Sequence, residues 1–130
     1  MLIFFVLKVK SEKIEENVYC HFKEISFSVT ILGPQYSCQI LSINTNSSYY
    51  ISKLHGQHTP NHTINDVMQF VMDYTTTTYL PTNLSRFLPN LKLLAVRSSS
   101  VKHIEKVNFE GFKYIQYLSF SNNILLIFIF

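Results

Sequence analysis

The chain has 130 residues and a formal charge of +3, with 47% hydrophobic, 15% aromatic and 15% charged residues. That length holds one domain with a modest core. Lys and Arg are scattered singly, with no basic run, so the sequence carries no footprint for nucleic acid.

The N-terminal run Met1 to Leu7 is apolar, but Lys8 and Lys10 follow it closely. A secretory leader wants about 7–15 apolar residues behind a positive region, then small residues at the cleavage site. A bilayer span wants about 20, so the run is too short to cross and no transmembrane segment is expected. It is read as the tail of a signal peptide whose start was lost. Glu12, Lys13, Glu15 and Glu16 then form a solvated charged linker, which completes a leader-and-linker region over residues 1–17.

Cys20 and Cys38 come next. Read alone, they are buried thiols or partners in a disulfide, and their spacing does not choose. Three Asn-x-Ser/Thr sequons follow at Asn46, Asn61 and Asn83, each in an expected loop and each a candidate for glycosylation. They are about as many as chance supplies.

His55, His58 and His62 make the spacing H-x-x-H-x-x-x-H. Three imidazoles and a water could hold zinc, and a metal-dependent hydrolase would use them so. The segment has no cysteine, however, and its nearest acid is Asp66. His58 is read as structural, and no metal site is assigned. With Gly33, Gly56 and Gly111 as the whole glycine complement, no phosphate loop can be built, and no G-x-S-x-G elbow occurs. An enzyme is the class these residues support least. No catalytic residue and no cofactor are expected.

The most informative pattern lies toward the C-terminus. Leu91, Leu94, Val96, Val101 and Ile104 fall on Ile115, Leu118, Phe120, Leu125 and Phe128 when the sequence slides by 24 residues. An earlier copy starts at Val67, with Phe70, Met72 and Leu80 matching and Thr77 as the miss. One polar column reads Thr75, Ser99, Asn123. This internal spacing and period are those of a leucine-rich repeat, in which each unit is a strand and a return that bury their apolar edge against neighbours.

On these residues the chain resembles the extracellular leucine-rich repeat family. The region ahead of the repeats is similar to the N-terminal caps of secreted insect members. The matching pieces are Cys20-His21-Phe22, Tyr36-x-Cys38, Gly56-Gln57-His58, Asp66-Val67, Leu80-Pro81, Phe87 to Leu91 and Ser121-Asn122-Asn123. The resemblance covers about residues 18–128. It implies an α/β-type solenoid: a β-hairpin cap over 18–66, then about three coils of 24 residues over 67–130, C-terminally truncated, with a short parallel sheet on the concave face. It also implies a Cys20–Cys38 disulfide closing a hairpin of Val18–Phe22 with Tyr36–Ile40, and an extracellular location, secreted or at the cell surface. Many more coils and a C-terminal cap are usual in the family, and both are missing here.

Alternation along the strands then assigns faces. Phe70, Met72, Leu94, Val96, Leu118 and Phe120 point inward. The concave face receives Gln69, Val71 and Asp73, then Leu93, Ala95 and Arg97, then Tyr117, Ser119 and Ser121. Asp73 and Arg97 are expected to form an exposed ion pair, with Leu93 and Tyr117 as contacts for a partner. The run Ile124 to Phe130 is wholly apolar and uncapped, an end suited to self-association. The functional expectation is a non-catalytic binding module for a protein ligand or receptor, or for glycan. The alternative is a truncated structural remnant without activity of its own.

Overall fold

The computed structural model describes residues 14–27, 32–121 and 127–128. The leader Met1 to Leu7, Asn123 and most of the run Ile124 to Phe130 lie outside the described residues, as do the side chains of Ser121, Ile127 and Phe128. In chain order the strands are β1 (Ile14–Tyr19), β2 (His21–Ile25), β3 (Gln35–Ile40), β4 (Tyr49–His55), β5 (Gln69–Asp73), β6 (Leu93–Arg97), β7 (His103–Ile104), β8 (Tyr117–Ser121) and β9 (Ile127–Phe128). One helix, α1 (Leu84–Phe87), and two 3-10 turns, Ile64–Asp66 and Lys106–Phe109, lie between them.

These strands make a five-stranded sheet in the order β2-β3-β5-β6-β8 and two small pairs, β1-β4 and β7-β9. The pairing is mixed, since β2 and β3 are antiparallel while β3-β5, β5-β6 and β6-β8 are parallel. The α/β-type solenoid expected above is therefore corrected. Described α-helix is confined to the four residues of α1, and regular structure is mainly strand, in one mixed five-stranded sheet and two parallel pairs. The cause lies in the returns. Thr75 to Thr78 is β-branched and resists a helix, while Pro81 and Pro89 bracket α1 and stop it after one turn.

Within the large sheet, Phe70 lies opposite Leu94, and Leu94 opposite Leu118. Phe70, Met72, Leu94 and Val96 are buried in the main core, joined from the returns by Leu80, Leu84, Leu88, Leu91, Val101 and Ile104. Each such aliphatic side chain contributes about 1.5–3 kcal/mol by leaving water. Leu118 is different, at 38% exposed, because β8 has β6 as its one described neighbour in this sheet. The polar column is bonded where it can be seen. Ser99 Oγ accepts from the Thr75 backbone N–H at 3.1 Å and from the Thr75 hydroxyl at 2.9 Å, and both residues are buried.

At the other edge, Cys20 and Cys38 form a disulfide with Cα atoms 4.9 Å apart. The expected hairpin is shifted: β2 runs from His21 to Ile25 and sets Phe22 opposite Cys38, while Val18 belongs to β1. β1 pairs in parallel with β4 and crosses the expected boundary after residue 17, so Glu15 and Glu16 sit on a strand instead of in a free linker.

Candidate recognition face

The outward side of β5, β6 and β8 is the surface singled out by alternation. Backbone pairing aligns Gln69 with Leu93 and Tyr117, Val71 with Ala95 and Ser119, and Asp73 with Arg97 and Ser121. The eight candidates whose side chains are described thus share one face of one sheet, and Ser121 joins their backbone register. Their exposure is uneven. Gln69, Val71, Asp73, Leu93 and Ala95 are buried, while Arg97, Tyr117 and Ser119 are half-buried.

The burial comes from the N-terminal edge. Leaving β2, the chain carries Ile25 and Phe27 onto this face, where Phe27 packs with Val71, Leu93 and Ala95, and Ile25 and Tyr117 sit at the margin. Gln69 is held in the same layer. Its Nε2 donates to the Ile25 carbonyl at 2.9 Å and to Ser37 Oγ at 2.8 Å, and its Oε1 has no hydrogen-bond partner. An unmet buried acceptor costs about 1–3 kcal/mol. The centre of the face is a second small core.

Polar chemistry concentrates at the C-terminal ends of the strands. Arg97 Nε donates to Asp73 Oδ1 and Arg97 Nη2 to Asp73 Oδ2, each at 2.7 Å, and Gln39 Nε2 adds a third bond to Oδ2 at 2.7 Å. The pair was expected to be exposed; instead Asp73 is buried, while the Arg97 side chain keeps 38% of its surface. Burial by itself would raise the Asp73 carboxyl. The bonds from Arg97 and Gln39, with Arg97 and Lys23 as nearby positive charges, outweigh it and hold the carboxyl below its ordinary range. The guanidinium also lies 5.0 Å from the centre of the Phe27 ring, a cation–π contact on its other side. Arg97 is fixed from two directions.

Beside it stands Tyr74, 75% exposed, whose backbone N–H donates to the Arg97 carbonyl at 3.1 Å. Its φ is 53°, the left-handed region, and Ser98 repeats that turn at φ 49°. Reading the sequence missed Tyr74, Gln39 and Phe27. Gln39 was accessible in principle through alternation from Cys38, but its offset to Asp73 is 34 and not 24. Phe27 carried no sequence signal at all.

All three histidines are taken up by aromatic stacking, His58 and His62 sharing Tyr36 and His55 lying apart from them on Tyr19. His55 stacks on Tyr19 at 4.6 Å, His58 on Phe22 at 3.9 Å and His62 on Tyr36 at 4.2 Å. His58 Nδ1 also pairs with the Tyr36 hydroxyl at 2.8 Å. The nearest acid, Asp66, accepts from the Thr63 N–H at 2.7 Å and caps a 3-10 turn. Among the described residues no group of three or more His, Cys, Asp or Glu could hold a metal ion.

Of the sequons, Asn46 and Asn61 are exposed, whereas Asn83 is half-buried and bonded to the backbone of Ile51. No helix among the described residues is long and apolar enough to cross a membrane. No family model, no curated protein and no solved structure matches this chain.

Proposed function

We propose that the chain is a secreted or cell-surface recognition module that binds a protein, or a glycan, without catalysis. Kinship with extracellular leucine-rich repeat proteins is part of this reading, and it is supported by the spacing of the apolar columns and by strand pairing at the same 24-residue offset. The disulfide suits an oxidising compartment. The observation that carries the reading is Arg97: pinned by Asp73 and Phe27, yet still open to solvent next to the exposed ring of Tyr74. Arg and Tyr are the residues that most often anchor protein contacts, and a pre-fixed side chain loses little freedom on binding. Contact would run along Tyr74, Arg97 and Tyr117 at the rim, not across the closed centre. The test is binding of the tetramerised full chain to a panel of cell-surface ectodomains and glycans. A hit should be lost in Tyr74→Ser with Tyr117→Ser and kept in Tyr114→Ser; signal indifferent to the rim pair would end the reading.

Self-association is a second mode, favoured by β8. That strand pairs on one side only within the described sheet, and Leu118 on it is exposed. Sedimentation decides it: a clean monomer at micromolar concentration rules it out.

A further inference from the structure

We propose that Asn46 carries an N-linked glycan whose first sugars lie in the groove between Asn46 and Tyr79, and that Asn83 stays unmodified. This rests on the secreted reading above. The three sequons are equivalent as text, Asn46-Ser47-Ser48, Asn61-His62-Thr63 and Asn83-Leu84-Ser85, but they differ in what their side chains do.

Asn83 is a clip. Its Oδ1 accepts from the Ile51 N–H at 2.7 Å and its Nδ2 donates to the Ile51 carbonyl at 2.9 Å, so one side-chain amide pairs with β4 as a neighbouring strand would. A glycan turns that amide into a secondary one, which prefers the trans form. The sugar then sits on the same side as Oδ1, where the hydrogen now given to Ile51 stands. Modification would break the pairing and wedge a sugar against β4.

Asn61 is exposed in a turn at φ 67°, with neither groove described here beside it. Asn46 is exposed too, but its loop is tied down. Thr45 Oγ1 donates to the Ser47 carbonyl and accepts from the Ser47 N–H, both at 3.2 Å, and the Thr76 hydroxyl bonds Asn44 Oδ1. Two grooves open on either side of Asn46. One, of about 630 Å³, is lined beyond Asn46 by Ser, Thr and Lys102. The other, of about 470 Å³, holds Tyr79, His103, Thr82 and Glu105. The two rings stack on each other at 4.6 Å and are half-buried. Both grooves have the size of ligand sites. Only the second offers aromatic surface for the C–H face of a pyranose together with hydroxyl and carboxylate partners for its edges. That is the groove the structure assigns.

The transfer itself needs a polyprenyl-pyrophosphate-linked oligosaccharide and the transferase of the secretory membrane. Asn46 Nδ2 gives up one proton and bonds the anomeric carbon; the anomeric C–O bond breaks, and the polyprenyl pyrophosphate leaves with the electron pair.

The experiment expresses the full chain behind a supplied signal peptide in animal cells and maps occupancy at each sequon by mass spectrometry. Enzymatic release of the glycan is then timed on folded and on denatured protein. The expected result is Asn46 occupied, Asn83 empty, and release from Asn46 roughly tenfold slower in the folded protein than in the denatured one, because the sugar must first leave its groove. Tyr79→Ala should remove most of that protection; if this variant fails to fold, the folded-to-denatured ratio in the unsubstituted chain decides alone. Asn46 empty, Asn83 occupied in folded protein, or equal release rates would each overturn the proposal. A chain filled at Asn46 that binds no ectodomain or glycan of the panel would sink the recognition reading and leave the site standing. Asn61 filled with Asn46 empty would do the reverse.

Discussion

Arg97 on β6 grips both carboxylate oxygens of Asp73 on β5, through Nε and Nη2 at 2.7 Å each. The two residues are Cα partners across the strands, so sheet register and side-chain chemistry agree. Replacing Arg97 by Met leaves a buried carboxylate with Gln39 as its remaining strong donor. The expected cost is about 2–3 kcal/mol, read as a lower urea midpoint, because an unpaired buried charge is worse than no pair at all. Arg97→Lys should cost about 1 kcal/mol, since one ammonium cannot reproduce the fork.

The same pair sets an acid limit. The Asp73 carboxyl lies below its ordinary value of 3.8 in the folded chain, despite the opposing push of burial. The unfolded chain therefore takes up the proton first as pH falls. The stabilisation is complete above the ordinary value, starts to go as pH drops through it, and is gone below the lowered one. Urea titrations between about pH 6 and pH 2 should show this loss in the unsubstituted chain and a flatter profile in Asp73→Asn. Equal slopes would mean another carboxylate governs acid unfolding.

Gly56 should tolerate nothing larger. Its φ is 139°, and a Cβ there would lie 2.4 Å from the Cys20 carbonyl oxygen and 2.7 Å from the Phe22 ring. The carbonyl is backbone beside the disulfide and cannot swing away. Gly56→Ala is expected to destabilise by about 2–4 kcal/mol, measured by thermal or urea unfolding. Gly33, with open space around its Cβ position, is the matched control: Ala there meets only the strain of φ 69°.

Tyr74 makes the opposite case. A bulky side chain at φ 53° costs about 1 kcal/mol that Asn largely avoids, and a ring 75% exposed gives little packing in return. Tyr74→Asn should therefore stabilise the fold by about 0.5–1 kcal/mol. If the rim binds a partner as proposed, the same substitution weakens that binding. A variant both steadier and fully competent to bind would remove Tyr74 from the interface.

Parts of this molecule were legible from the chain alone. β5, β6 and β8 recur at one offset of 24, so their register, their facing rows and the Asp73–Arg97 contact could be read by counting. The burial of the outward face could not. It depends on Phe27 and Ile25, which reach the sheet from a hairpin some 44 residues before Gln69, and no local pattern announces such a crossing. β1 was hidden for a related reason. Glu15 and Glu16 look like a solvated run until their partner β4 is known, because an edge strand need not be apolar on both sides. The returns were misjudged as a class: the repeat gives their length and apolar anchors, while their threonines and prolines decide against helix.

The sheet order has a consequence for speed. Apart from the β2–β3 hairpin, each pairing in the large sheet joins positions at least 24 residues apart along the chain. Closing such loops precedes any reward from pairing, which makes this topology a slow one to find. Assembly should then advance from the hairpin outward, β3 lending its free edge to β5, and so on toward β8. β8, expected to dock last, meets a single partner strand among the described residues of the large sheet.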